Sequence, residues 1–422
     1  MRHSKSSSKN YSYLICIVTG LFIFYKYVLQ ISPSVMSHDL MRDFQLTGAG
    51  LGNLTACFLY SYLLMQIPAG IIFDRYKPRV VIATAICLAA VFTEIFALTD
   101  STFIACLSRA GMGLVTAFAF IAYLKMISIW APPKHFALMA GFAMTIAMIG
   151  AINGQAPLAV LVEQVGWRHA LMCIALLGFV LALLSWFIIQ DKNNSTDPAQ
   201  NSTNKSFISQ VLIIIKNKQN WILGLFCGCA FAPVSAFGGL WGVPFLQEAY
   251  HLTRTEAAQN ISLIFIGFAL GCPLLGWISD RLNSRITVMS IGMLIAFLCL
   301  SSVIYLYQFL TPLKVSLLLF AFGFSVSALM MCFVVAIEIQ TTLQTASLMA
   351  FINTIPSIFE AVTEPFIGKM LDLGWEGQLL SDARIFSVGD YQLGLLILPI
   401  YLIVALILLM FIRYEFVPRR GA

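Results

Sequence analysis

Twelve runs of mostly apolar residues, each long enough to cross a bilayer, constrain this chain more than any other feature. They fall at 12–36, 47–72, 78–98, 102–126, 135–163, 168–190, 219–246, 257–279, 285–309, 312–337, 343–370 and 391–413. A helix needs about 20 residues to cross the hydrocarbon, and only helices and closed barrels satisfy their backbone polar groups there. The period-two alternation of barrel strands is absent. With 59% hydrophobic and 10% charged residues and a mean hydropathy of +0.87, the chain is suited to lipid as its solvent. The expectation is an all-α membrane protein of twelve transmembrane helices. The first run is too long for a signal-peptide core, so it reads as a retained span. The net charge of +6 is scattered and implies no nucleic-acid partner. Ten cysteines, mostly inside the runs and without a CxxC pair, read as small buried side chains, with neither disulfides nor metal ligands expected.

The longest polar break, from Gln190 to about Lys218, has the composition of a solvated linker. It sets residues 1–190 and 219–422 apart as two six-helix halves, with 191–218 between them; 207–215 is a candidate surface helix. The halves repeat each other. Gly70-Ile-Ile-Phe-Asp74-Arg75-Tyr-Lys-Pro-Arg79 recurs as Gly276-Trp-Ile-Ser-Asp280-Arg281-Leu-Asn-Ser-Arg285, 206 positions later. Pro157…Gly166-Trp167 recurs as Pro365…Gly374-Trp375, 208 positions later. With both termini cytoplasmic, 16 basic residues fall inside and 6 outside, with Lys26, Arg109 and Lys125 within spans. That bias favours this orientation.

The pattern Gly-x-x-x-Asp-Arg-x-x-x-Arg after the second run resembles the signature loop of the major facilitator superfamily of secondary transporters. Two copies in register extend the resemblance over nearly the whole chain. It implies two pseudo-symmetric six-helix halves with a path between them, working by alternating access. It also implies a conformational latch at Gly70, Asp74, Arg75 and Arg79, with Asp280, Arg281 and Arg285 as the second copy. Lys77-Pro78 departs from the usual glycine-bearing step. Ser108-Arg109-Ala110-Gly111-Met112-Gly113 resembles the family's fourth-helix motif. Gly150 to Pro157 resembles its fifth-helix motif, with Gln-Ala inserted before the proline. Within the superfamily the chain looks most like bacterial permeases of the sugar-phosphate and organic-anion type. Those that carry phosphate esters use basic residues in both the first and the seventh spans, and 221–248 contains none, which argues against a phosphate ester.

Charges inside spans are costly and mark pathways or ion pairs. Lys26 lies too deep to snorkel, with Gln30 one turn on along the same face; a pathway role and a structural pair both fit. Arg109 takes Glu94 as its candidate partner, for an ion pair or for coupling and gating. Glu360 and Glu364 share a face of the eleventh run, where adjacent carboxylates favour proton carriage. Glu360 is the deeper candidate, and a pair with Lys26 is the alternative. Asn153, Gln155 and Asn353 are further pathway candidates. Trp241 reads as lining the outer cavity or as part of the interfacial belt. Lys125 and Glu338 are candidates for a gate bridging the halves, or for snorkelling charges.

No phosphate-binding Gly-Lys-Ser/Thr loop, nucleotide domain, serine elbow or metal-spaced histidine pair is present, so neither an enzyme nor a cofactor is implied. The expected function is proton-coupled import (symport) of a small polar organic solute: an organic anion, amino acid or short peptide. A monomer suffices, in a bacterial inner membrane. A drug or siderophore exporter of the same fold is the alternative, and a transport-fold nutrient sensor a minor one.

Overall fold

The computed structural model describes residues 3–130, 136–190, 215–339, 345–380 and 383–412. Most of the linker, including 207–214 of the candidate surface helix, lies outside them, as does the side chain of Asp74.

Among the described residues, ten helical rods are long and apolar enough to cross a membrane: Tyr13–Asp43, Pro78–Leu98, Thr102–Trp130, Gly141–Val165, Trp167–Ile188, Lys218–Tyr250, Arg254–Leu282, Arg285–Tyr305, Pro312–Ile339 and Val388–Leu409. Two more helices of spanning length, Gly48–Arg75 and Thr345–Gly374, complete the twelve expected from the apolar runs. They are numbered here as spans one to twelve in chain order. Local chemistry sets their ends. Pro78 and Pro312 stand in the first turns of spans three and ten, where a missing N–H costs nothing. The Thr47 side chain accepts from Gly50 N at the start of span two, and Ser284 does the same for Thr287 N at the start of span nine. Gly166, at φ 79°, makes the turn from span five to span six in a conformation that other residues resist. A two-stranded hairpin, Leu379–Leu380 with Ala383–Arg384, lies between spans eleven and twelve.

Several spans are broken where the sequence shows continuous apolar runs. Span one changes to a 3-10 turn at Ser32–Met36, around Pro33. Span seven carries a π-turn at Phe237–Trp241, one turn after Pro233. Span ten has a 3-10 turn at Ser327–Met330. Span five breaks between Asn153 and Ala156, and span four near Ala117. Spans one, four, seven and ten are thus all interrupted, at every third place in the order. π-Turns of this kind concentrate at functional positions.

The chain divides into two compact units. The first comprises Met1–Asp191, Gly238–Phe265 and Glu364–Gly394; the second comprises Lys192–Phe237, Ile266–Thr363 and Leu395–Ala422. In the first, span three packs along span six, span two along span four, and span one along span five. In the second, span nine packs on spans ten and twelve, and span seven on span twelve. Pairing of three with six in the first unit and nine with twelve in the second is the sequence repeat made physical.

In the first unit the start of span two meets the end of span eleven along a glycine seam. A Cβ on Gly52 would lie 2.6 Å from Glu364 O and Pro365 Cα. A Cβ on Gly368 would collide with the Gly48 carbonyl. Small residues at such a four-residue spacing let two backbones touch.

Candidate functional site

Two cations are buried in the interior of the first unit. Lys26, on span one, is 6% exposed, and its Nζ donates to Gln30 Oε1 at 2.5 Å. It stands 3.8 Å from the ring centroid of Tyr27 and 4.9 Å from that of Tyr62 on span two. An ammonium against two ring faces gains about 2 kcal/mol when desolvated. The i, i+4 spacing brings Gln30 to Lys26; Tyr62 escaped the sequence reading because it comes from another span.

Arg109, on span four, is 2% exposed. Its Nη1 donates to the carbonyl of Leu29 at 2.8 Å. The reason lies in span one: the helical partner of that carbonyl would be the amide of residue 33, which is a proline and has no N–H. Ser32 Oγ and Arg109 occupy the vacated acceptor instead. The guanidinium also lies 5.0 Å from the Phe58 ring centroid. The carboxylate that acts on Arg109 electrostatically is Glu364, from span eleven. Among the described residues Glu94 forms no ion pair with Arg109, which corrects the sequence expectation. Similar depth on adjacent spans did not bring the two side chains together.

Glu364 is 5% exposed, and its backbone carbonyl accepts from Trp241 Nε1 at 3.1 Å. Trp241 closes the π-turn of span seven and is 1% exposed, so it packs inside rather than standing in an interfacial belt. Gln155 sits in the break of span five, is fully buried, and donates through Nε2 to Gly238 O at 2.6 Å, in the same π-turn. Asn153, two residues earlier, turns back to Ile149 O on its own helix. Glu360 is 4% exposed on span eleven, and Asn353 is exposed on the same span. The boundary between the compact units passes between Thr363 and Glu364, so the two carboxylates, one helical turn apart, belong to different units.

The end of the first unit away from the Asp74 loop is ringed by ion pairs. Arg254 meets Asp39 at 2.9 Å. Asp43 takes Arg42 at 2.8 Å and Trp167 Nε1 at 2.8 Å. Arg168 meets Asp100 at 2.7 Å. Thr255 donates to both oxygens of Glu163. Both oxygens of Asp372 accept from the first amides of span two, Gly48 N at 2.7 Å and Ala49 N at 2.8 Å, and Arg384 of the hairpin binds the same carboxylate at 3.1 Å. A carboxylate at a helix N-terminus is favoured by the helix dipole. The sequence reading counted these arginines as loop charges and missed their acids, which for Arg168 and Arg254 lie far away in sequence.

The two Asp-Arg loops differ in detail. In the first, Gly70 has open space around it, Arg75 is exposed, and Arg79 lies 4.4 Å from the ring centroid of Trp186 on span six. In the second, Arg285 is buried and forks onto both oxygens of Glu338 at 2.8 and 2.7 Å, with Asp280 Oδ1 at 3.0 Å. Arg281 rests over Trp277, 4.2 Å from its centroid. Glu338 is held by Arg285 in its own unit, while Lys125 Nζ stands 5.8 Å from the Phe73 ring centroid. A bidentate guanidinium–carboxylate pair is stronger than anything a lysine ammonium offers.

Comparison with known proteins agrees with this architecture. The probable L-galactonate transporter of Escherichia coli (strain K12) is 22% identical over 271 residues, 61% of this chain and 59% of that protein. The probable galactarate/D-glucarate transporter of the same strain is 24% identical over 205 residues, 47% of this chain and 46% of that one. The alignments thus span about half the length of these curated relatives. The crystal structure of a bacterial homologue of the human lysosomal transporter Spinster superimposes with a TM-score of 0.81, at 18% identity, covering 96% of this chain and 97% of that one. The family model of the Major Facilitator Superfamily matches residues 15–354. Twelve helices, a duplicated Asp-Arg loop and a match over most of its length lead to one conclusion: the chain belongs to the Major Facilitator Superfamily of membrane transporters.

Proposed function

We propose that this transporter imports a small organic anion, a hydroxylated carboxylate, together with protons. The observation that carries the reading is the pair of buried cations, Lys26 and Arg109, inside spans one and four. A charge in the hydrocarbon region is expensive and is retained where it meets a counter-charge on the transport path. An anionic solute supplies one. The two curated relatives described above are named for sugar acids, which supports a carboxylate over an amino acid, a peptide or an apolar drug.

In this reading Lys26, oriented by Gln30 and boxed by Tyr27 and Tyr62, receives the carboxylate. Arg109 holds span four to the carbonyl of Leu29 in span one, just before its 3-10 turn, and Glu364 balances its charge. Glu360 carries the proton. Gln155 and Trp241 fix the breaks in spans five and seven, and Asn153 and Asn353 are further polar positions along the path. The two six-helix halves alternate about the path, and the Asp74 and Asp280 loops latch one state. The positive-inside bias supports cytoplasmic termini in a bacterial inner membrane. One chain suffices.

The test is uptake of labelled galactonate and glucarate into proteoliposomes under an imposed pH gradient, with wild type, Lys26→Gln and Glu360→Gln. Uptake that needs an inward proton gradient, and that each substitution lowers at least about tenfold, is the expected result; the loss of a hydrogen bond to a charged group corresponds to that magnitude. Uptake indifferent to the gradient would sink proton symport. Uptake untouched by Lys26→Gln would remove Lys26 from the site. No uptake at all, with dye efflux from inside-out vesicles, would make the protein an exporter.

A further inference from the structure

A groove of about 370 Å³ lies between spans three and six of the first unit, lined among others by Thr84, Cys87, Phe179, Leu183 and Trp186. Its wall offers no free polar group from Thr84, whose hydroxyl bonds back to Val80 O at 2.6 Å and Val81 O at 3.2 Å. At one end of the groove the character changes. Arg79 lies over the Trp186 indole at 4.4 Å. Tyr11 donates to Ile188 O, and its ring meets Trp130 edge-on at 5.2 Å. Tyr76 is 58% exposed beside Arg75 and Lys77, both exposed. Tryptophan, tyrosine and basic residues gathered at one level of a membrane protein mark the headgroup region. Span three starts at that level with no side-chain cap, so its positive end faces the same place. From Arg79 to Cys87 is eight residues, about 12 Å of helix, within the roughly 15 Å of one leaflet's hydrocarbon.

We propose that this groove is a binding site for an anionic phospholipid. One acyl chain fills the groove along span three, and the phosphate is held by Arg79 with Arg75 and Lys77. Every lipid-facing surface meets lipid; here an apolar slot ends under three basic residues against one acid, Asp74, so the charge selects the headgroup. The repeat supplies an internal control. Arg285, the counterpart of Arg79, is buried where Arg79 is half-buried, so the second copy of the loop keeps its arginine away from the lipid.

The test is native mass spectrometry of the purified full-length chain, delipidated and then given phosphatidylglycerol or phosphatidylcholine with the same acyl chains. Wild type is expected to retain phosphatidylglycerol at least about fivefold better, the scale of one basic residue acting on an anionic lipid. Thr84→Trp, which fills the groove, and Lys77→Gln combined with Arg79→Gln, which remove the charge, should each abolish the preference. Equal retention of both lipids by wild type, or a preference untouched by Thr84→Trp, overturns the site. Should either variant fail to fold, quenching of tryptophan emission by brominated-chain lipids decides. The component lost in Trp186→Phe should be quenched more by brominated phosphatidylglycerol than by the brominated phosphatidylcholine. Equal quenching overturns the proposal.

Discussion

The two Asp-Arg loops carry the same residues at the same spacing, yet their last arginines lead different lives. Arg285 is buried and forked onto Glu338, and Asp280 adds a third contact. Arg79 is half-buried and lies over an indole. The difference traces to one position elsewhere. The repeat offset of 206 to 208 places the counterpart of Glu338 at 130–132, where Trp, Ala and Pro stand and no acid does. A duplicated motif therefore fixes where a charge begins, and the residue supplied from another span fixes what that charge does.

The largest effect should come from Glu338→Ala. It takes the forked carboxylate from a buried guanidinium, and breaking a buried pair costs about 3–5 kcal/mol, so the thermal midpoint in detergent should fall accordingly. An unchanged midpoint would mean that the fork does not hold the second unit. Next comes Arg285→Lys, which keeps the charge but loses the fork. A loss of about 1.5–3 kcal/mol is expected, while Arg79→Lys, at a half-buried position where solvent screens the charge, should lose less under the same heating. Equal losses at the two positions would erase the contrast between the loops. Trp186→Ala removes the cation–π partner of Arg79 and should cost about 0.5–2 kcal/mol; in a double-mutant cycle with Arg79→Ala the coupling should be of that size, and a coupling of zero would make the stacking idle. Asp280→Asn should be the mildest. Its side chain is 62% exposed, so solvent screening holds the change below about 1 kcal/mol, and rising salt should shrink it further.

Much of the architecture was legible in the sequence, because bilayer thickness and the ban on unsatisfied backbone groups leave little freedom. The twelve runs map onto twelve rods with ends that differ by a few residues. The duplicated loop was legible too, since its signal is local. The breaks were harder: Pro33, Pro157 and Pro233 stand near three of them, but the breaks of spans four and ten lie in ordinary apolar stretches without a proline. Pro33 held a readable clue, a carbonyl without an amide at Leu29, which Arg109 now occupies. The partners of charges were least legible. Depth along a span pointed Arg109 toward Glu94, but facing is set by helix rotation and by residues dozens of positions away.

The glycine seam between spans two and eleven limits how these helices can move. Backbone touches backbone at Gly48, Gly52 and Gly368, and Asp372 grips the first two amides of span two with both oxygens. Sliding one helix past the other by a single turn would carry the carboxylate about 5.4 Å from those amides and drive bulkier neighbours into the seam. Tilting about the contact leaves the grip intact. The pair is therefore built as a pivot and not as a piston.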